Sequence, residues 1–181
     1  MCIRDRPYTY TKVLDSTGQV ILENTSSTSQ AISPAAAYIT ADLLSGVVNS
    51  SVGTGKGAKL DCGISTYGKT GTTDDDCDKW FVGFTPYYVG ACWYGFDTPA
   101  SISAAGVSGN PTVTAWNLVM EKIHESLNPK EITKPSNVVE AQVCEYSGML
   151  ATDTCPTTTA YFVEGTQPKA SVSYTHLTLP T

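Results

Sequence analysis

Three stretches follow one another closely in this chain, Gly63 to Thr73, Lys79 to Thr85 and Tyr88 to Phe96. Each alternates apolar or aromatic residues with polar ones, and only short turns separate them. A period of two is the mark of a half-buried strand, and connections this short join antiparallel neighbours. The middle of the chain is therefore expected to form an antiparallel sheet. Helices are expected on either side of it in sequence. Ser33-Pro34 supplies a capping hydroxyl followed by a proline suited to a first helical turn, which predicts a helix to about Val48 with Ile39, Leu43 and Val47 as its inward stripe. A second helix is expected from Pro111 to Leu127, with Trp116, Val119, Met120, Ile123 and Leu127 on one face. Helices laid against an antiparallel sheet give an α+β layer architecture.

Upstream, residues 8–23 alternate on both sides of Asp15-Ser16-Thr17-Gly18, the pattern of a β-hairpin. The run Asn49 to Lys59 is small, polar and glycine-rich, so a surface loop is expected there. Within it, Gly53-Thr54-Gly55-Lys56-Gly57 lacks the register of a phosphate loop and reads as a flexible connector. Beyond Asn128, Pro129, Pro135, Pro156 and Pro168 punctuate the chain, which predicts an irregular extension over residues 129–171. Residues 1–6 hold both arginines of the chain, Arg4 and Arg6. They and residues 172–181 resemble translated sequencing-adapter sequence and are expected to be foreign to the domain, whose body is then 7–128.

Charge and cysteine usage narrow the function. A net charge of −6 lacks the basic footprint of a nucleic-acid binder. No apolar run approaches the roughly 18 residues of a membrane span, so no membrane contact is expected from this piece. There is no Cys-x-x-Cys pair and histidine is scarce, so neither a metal nor another cofactor is expected. Asp74, Asp76 and Asp78 imitate the start of a calcium loop, but Lys79 stands where glycine is required and Thr85 where the closing glutamate belongs; a solvated turn is expected. Cys144 and Cys155 bracket a short polar segment, and a disulfide between them would contribute roughly 2 to 3 kcal/mol on the loop-closure account. Spacing alone leaves that bridge and free thiols both open. The aromatic series Trp80, Phe81, Phe84, Tyr87, Tyr88, Trp93 and Tyr94 could form a carbohydrate platform, although alternation assigns at least half of it to the core.

The segment bearing chemistry is Lys69-Thr70-Gly71-Thr72-Thr73, at the end of an expected strand. Glycine at 71 would let a substrate backbone lie against the strand and pair with it. Lys69 would place a positive charge beside a carboxylate to which the Thr70 and Thr72 hydroxyls can donate. Alone, such a tripeptide is weak, since it can merely end a strand in a polar turn. The longer run is specific: Gly68 to Thr73, then Asp78-Lys79-Trp80-Phe81-Val82-Gly83-Phe84-Thr85-Pro86, then Trp93-Tyr94-Gly95-Phe96-Asp97. It resembles the C-terminal half of the transpeptidase domain of class A, bifunctional penicillin-binding proteins, over about residues 8–128. The Asp15 to Gly18 hairpin, Ala37-Tyr38 and Gly53-Thr54-Gly55 fit the same resemblance. Cys144-x-x-Ser147-Gly148 and Thr154-Cys155-Pro156 are similar to the tail of such proteins in clostridia-like bacteria.

That resemblance implies a partial serine-transpeptidase fold and a parent that cross-links peptidoglycan stem peptides outside the cytoplasmic membrane. It implies catalytic roles for Lys69, in proton relay, and for Thr72, whose backbone N–H would form half of an oxyanion hole. Thr70, Gly71, Thr72 and Thr73 would bind the D-Ala-D-Ala terminus, and β-lactams would occupy the same place in the intact parent. The family's two companion elements are not supplied here: no Ser-x-x-Lys occurs, and Ser126-Leu127-Asn128 stands in the wrong order. The nucleophile, a glycosyltransferase domain and a membrane anchor are thus expected upstream in the parent, and the chain alone is expected to be inactive and not to react with penicillin. Two alternatives stay open: a D,D-carboxypeptidase or β-lactamase relative, and a non-catalytic extracellular module that binds cell-wall polymer.

Overall fold

The computed structural model describes residues 3–5, 8–25, 28–153 and 155–170, so the expectation for 172–181, and part of that for 1–6, lies outside the described residues. In chain order the elements are β1 (Ile3–Asp5), β2 (Lys12–Leu14), β3 (Val20–Glu23), β4 (Thr28–Gln30), α1 (Pro34–Asn49), a 3-10 turn at Lys56–Ala58, β5 (Tyr67–Thr72), β6 (Asp78–Phe84), β7 (Val89–Gly95), α2 (Pro111–His124), β8 (Val138–Cys144) and β9 (Thr157–Val163). They form two compact units, one of residues 38–134 and one that joins the two ends of the chain. The fold is α+β, with antiparallel sheets and two helices.

The central unit holds a three-stranded sheet in the order β5-β6-β7, both pairs antiparallel. Its core side is carried by Phe81, fully buried and set edge-on to Trp116 of α2 at 5.3 Å. Val48, Ala58, Leu60, Ile64, Val113 and Met120 complete the cluster. Two glycines that pair across β6 and β7, Gly83 and Gly90, let α2 come close. A methyl at Gly83 would stand 2.9 Å from the Trp116 ring and one at Gly90 3.0 Å from its Nε1. The indole instead lies against the strands and donates to the Gly90 carbonyl at 3.1 Å.

Both helices form where expected; α1 turns a different face inward, whereas α2 buries the expected Trp116 and Met120 but not Val119 and Ile123. On α1 the Ser33 hydroxyl accepts from the Ala36 N–H at 3.2 Å, as a cap should. Ala41 and Val48 are its buried residues within the unit, while Leu43 is 70% exposed and Ile39 and Val47 are half-buried. Apolar residues run all round this helix, so periodicity selected the larger ones and packing selected the smaller. On α2, Thr112, Val113, Trp116, Met120 and His124 are buried, whereas Val119 and Ile123 are exposed. Two polar residues with hydrogen-bond partners occupy inward positions that an apolar count passes over. Leu127 lies beyond the helix end and still packs on the core.

The segment Gly53 to Ala58 is not a flexible connector. The Gly55 N–H donates to the Val47 carbonyl at 2.9 Å, Ala58 is fully buried, and a Cβ at Gly55 would meet the Phe81 ring at 3.0 Å. The neighbouring Lys59 and Asp61 are tied to α2, through Asn117 Nδ2 on the Lys59 carbonyl and the Asp61 N–H on Glu121.

In the other unit, β2 and β3 form the expected hairpin, closed by Asp15. Its Oδ1 accepts from the N–H groups of Thr17 and Gln19 and from the Thr17 hydroxyl, all at 2.7–2.8 Å, and Gly18 takes a φ of 86. These donors hold the Asp15 carboxyl below its ordinary value. β1 lies in the segment expected to be foreign and pairs with β4, Ile3 opposite Gln30. The extension past residue 134 is not irregular: β8 and β9 pair over seven positions, from Val138 opposite Val163 to Cys144 opposite Thr157. Pro135 and Pro156 flank these strands instead of interrupting them, each lending its carbonyl to a backbone N–H.

Candidate functional site

Strand β5 carries Lys69, Thr70, Gly71 and Thr72 and among the described residues has one neighbour, β6, so its other side is an open edge of the sheet. Which groups face that edge follows from the ladder. The Thr73 N–H bonds the Asp78 carbonyl at 3.2 Å, and bonded pairs alternate along an antiparallel ladder. Gly71 and Lys69, opposite Trp80 and Val82, therefore direct their backbone groups at β6, and Thr70 and Thr72 direct theirs at the open edge. The outward carbonyl of Thr70 already holds a donor, the Lys69 ammonium at 3.0 Å.

Side chains divide by the pleat. Lys69 and Gly71 share the face of Trp80 and Val82, and Thr70 and Thr72 share the opposite one. Gly71 is required by a close approach within the protein as well as by any ligand, because a Cβ there would stand 3.2 Å from that of Trp80. Gly68 lies flush on Phe81, where a Cβ would come within 2.5 Å of the ring. Thr72 and Lys69 are exposed, and Thr70 is half-buried. Its hydroxyl lies 2.8 Å from that of Thr54, a contact that sequence reasoning missed. The signal was present in Gly53-Thr54-Gly55, where two small residues let the chain turn tightly beside β5. Thr73 differs from its neighbours: its Oγ1 accepts the N–H groups of Cys77 and Asp78 at 3.1 and 3.0 Å, which closes the β5–β6 turn.

That turn is pinned by acids. Asp76, in left-handed conformation at φ 54, pairs with Lys79 at 2.6 Å and accepts from the Ser103 N–H at 3.0 Å. Chiefly through Lys79 and then Ser103, its carboxyl is lowered to about 2. Asp78 accepts from the Trp93 indole N–H at 2.8 Å. Of the aromatic series, Phe81 alone is fully buried. Trp80 and Trp93 face each other on the outward side at 6.4 Å, each somewhat under half exposed, while Phe84, Tyr87 and Tyr94 are half-buried and Tyr87 packs against the core cluster. Alternation does separate Phe81 from Trp80, as it should; it could not say that Trp80 and Val82 stay exposed among the described residues. A cavity of about 220 Å³ lies beside α1, lined by Asp42, Tyr38 and Glu131 among others, but it meets β5 only at Tyr67.

Neither Ser-x-Asn triplet reaches the edge strand's chemistry. Ser126-Leu127-Asn128 follows α2, where the Asn128 carbonyl accepts from the Tyr87 hydroxyl. A second triplet passed over in the sequence, Ser108-Gly109-Asn110, ends in the cap of α2, with Asn110 Oδ1 accepting the Thr112 N–H at 3.1 Å.

An open-edged strand of this sequence, backed by a tryptophan-bearing helix, can be set against known proteins. The family model described as the penicillin binding protein transpeptidase domain matches residues 4–96, about half of the chain. The chain belongs to the penicillin-binding protein transpeptidase family. A second model, penicillin-binding protein 1A, C-terminal domain, matches residues 134–176 and so takes in the β8–β9 hairpin. Penicillin-binding protein 1A of Clostridium tetani is 39% identical over 175 residues, which cover 93% of this chain and 22% of that protein. The Clostridium botulinum (Langeland) protein of the same name is 42% identical over 143 residues, 79% of this chain and 17% of its own length. In fold, the transpeptidase fragment is similar to the crystal structure of penicillin-binding protein 1A from Haemophilus influenzae, with a TM-score of 0.68 at 19% identity, over 93% of this chain and 30% of that one. The chain thus spans about a fifth of the length of the clostridial relatives it matches.

Proposed function

We propose that this chain supplies the substrate-binding edge of a peptidoglycan D,D-transpeptidase that works through a serine acyl-enzyme. The observation that carries the reading is the open edge of β5, on which no strand among the described residues pairs with the backbone groups of Thr70 and Thr72, beside the Lys69 ammonium. A D-Ala-D-Ala terminus pairs with this edge as an added strand. Its carboxylate takes the Lys69 ammonium in place of the Thr70 carbonyl, together with the hydroxyls of Thr70 and Thr72. The Thr72 N–H then points at the carbonyl oxygen on which charge develops in the tetrahedral intermediate.

The serine that attacks, its lysine and the acceptor amine come from elsewhere in the parent, since no Ser-x-x-Lys stands in these residues. D-alanine leaves, and an amine of a neighbouring stem peptide resolves the acyl-enzyme. β-lactams enter the same edge in the parent. No helix among the described residues is long and apolar enough to cross a membrane; the parent works at the outer side of the cytoplasmic membrane.

A chimera tests this. This chain replaces the matching part of the C. tetani relative, and covalent labelling by a fluorescent penicillin is followed. Labelling of the chimera, its fall by roughly a hundredfold on Lys69→Ala, the scale of one lost pre-aimed group, and no labelling of the chain alone are the expected results. Undiminished labelling of the Lys69→Ala chimera would remove Lys69 from the site, and stable labelling of the isolated chain would overturn the assignment of the nucleophile.

A further inference from the structure

The β8–β9 hairpin brings two cysteines together at one end. Cys144 is the last residue of β8, opposite Thr157, and the next backbone bond runs from the Glu145 N–H to the Pro156 carbonyl at 3.0 Å, directly beside Cys155. The Cys144 N–H and carbonyl are both engaged across the turn, with the Met149 carbonyl and the Gly148 N–H at 2.8 Å each, so its backbone is held at the end of the hairpin. Cys155 is fixed by its N–H on the Thr152 carbonyl at 3.0 Å and by its sulfur 3.4 Å from the Thr152 hydroxyl. Cys144 is fully buried, Cys155 is half-buried, and both are free thiols.

We propose that Cys144 and Cys155 are a redox-active dithiol, in which Cys155 captures a small-molecule disulfide and Cys144 resolves it to close a covalent clasp across the hairpin. The unequal burial fixes the order. Cys155 gives up its proton to solvent and its thiolate attacks the disulfide RSSR, forming a mixed disulfide and expelling RS⁻, which is protonated to RSH. Cys144 likewise loses its proton, and its thiolate attacks the Cys155 sulfur and expels the second RS⁻, protonated to RSH, so two thiols are oxidised to one disulfide and one RSSR is reduced to two RSH. The turn favours the second step: the Ser147 hydroxyl, then the N–H groups of Ser147 and Tyr146 and the Cys155 thiol, donate to the Cys144 sulfur and hold it well below the ordinary thiol range. This site lies outside the part matched to the transpeptidase domain and does not depend on the function proposed for β5.

The test treats the reduced full chain with oxidised glutathione and maps each cysteine by alkylation under denaturing conditions and peptide mass. The expected product is a Cys144–Cys155 disulfide with Cys62, Cys77 and Cys92 still alkylated, and proteolysis between the two cysteines slowed about tenfold or more. Cys144→Ser should trap glutathione on Cys155, whereas Cys155→Ser should leave Cys144 unmodified. Ser147→Ala should let the mixed disulfide accumulate without changing the rate at which Cys155 is captured. Cys144 and Cys155 both remaining alkylatable, or glutathione settling on Cys144 in the Cys155→Ser chain, would overturn the proposal.

Discussion

The Lys69 ammonium folds back along its own strand to the carbonyl of Thr70, 3.0 Å away, so the cation of the edge rests on a group that an incoming strand would need. The contact lies at the surface and is worth little to the fold. Lys69→Ala should therefore change the unfolding free energy of the chain by no more than the scatter of ordinary surface substitutions, about 0.5 kcal/mol, while it removes the charge on which labelling of the chimera depends. A marked loss of stability would mean that Lys69 holds the strand instead of serving a ligand.

The Trp116 indole occupies the gap left by Gly83 and Gly90. A methyl at Gly83 would stand 2.7 Å from the Phe81 ring and 2.9 Å from Trp116 Cζ2, neither of which has room to retreat. Gly83→Ala should cost about 1 to 3 kcal/mol by overpacking. Phenylalanine lacks the indole carbon that clashes, so the double variant Gly83→Ala with Trp116→Phe should lose less than the sum of the two single losses in chemical denaturation. Strict additivity would show that the close approach is relieved elsewhere.

What sequence could and could not reveal has physical causes in these same residues. β5, β6 and β7 were legible because Phe81 and Trp80 sit on opposite faces and the sequence alternates accordingly. The helix faces were legible only in part, at Trp116 and Met120 of α2, since α1 is apolar all round and α2 also buries Thr112 and His124 by satisfying them with hydrogen bonds, which hydropathy does not register. The β8–β9 hairpin was hidden by proline, although Thr157 to Val163 is, apart from Ala160, a run of β-branched and aromatic residues between Pro156 and Glu164 that carries the strand signal plainly. At the candidate site, Lys69-Thr70-Gly71 stood out as a motif. The Thr54 partner of Thr70 did not, because a contact between residues 16 positions apart depends on how the intervening loop turns.

Asp76 makes the β5–β6 turn sensitive to acid. Its carboxyl is lowered from 3.8 to about 2, first by Lys79 and then by Ser103. The folded state thus takes up this proton less readily than the unfolded chain, and the stabilisation is complete above about pH 4 and lost as pH falls through about 2. Asp76→Asn keeps a residue that tolerates the left-handed φ of 54 and removes the charge. The variant should melt below the parent at pH 7, with the gap closing between about pH 4 and pH 2 in a melting-temperature series. A gap that stays constant down to pH 2 would assign the loss to geometry.

Beneath the β6–β7 turn, His124 is fully buried between Tyr87 and Tyr88 and bridges two elements. The Met120 carbonyl, 2.7 Å from Nδ1, can only accept, so Nδ1 carries the hydrogen. Nε2 is left to accept from the Thr85 hydroxyl at 2.9 Å, whose oxygen in turn receives the N–H groups of Tyr87 and Tyr88 at 3.1 Å each. Replacing either end of this chain strands a different group. His124→Phe leaves the Thr85 hydroxyl without its acceptor and should cost about 1 to 3 kcal/mol, with the turn's own N–H bonds intact. Thr85→Val removes the oxygen that both amides use, so hydrogen exchange at Tyr87 and Tyr88 should accelerate by about tenfold or more beyond the change in global stability. If His124→Phe accelerates those two amides just as strongly, the imidazole shapes the turn itself and does more than tie it to α2.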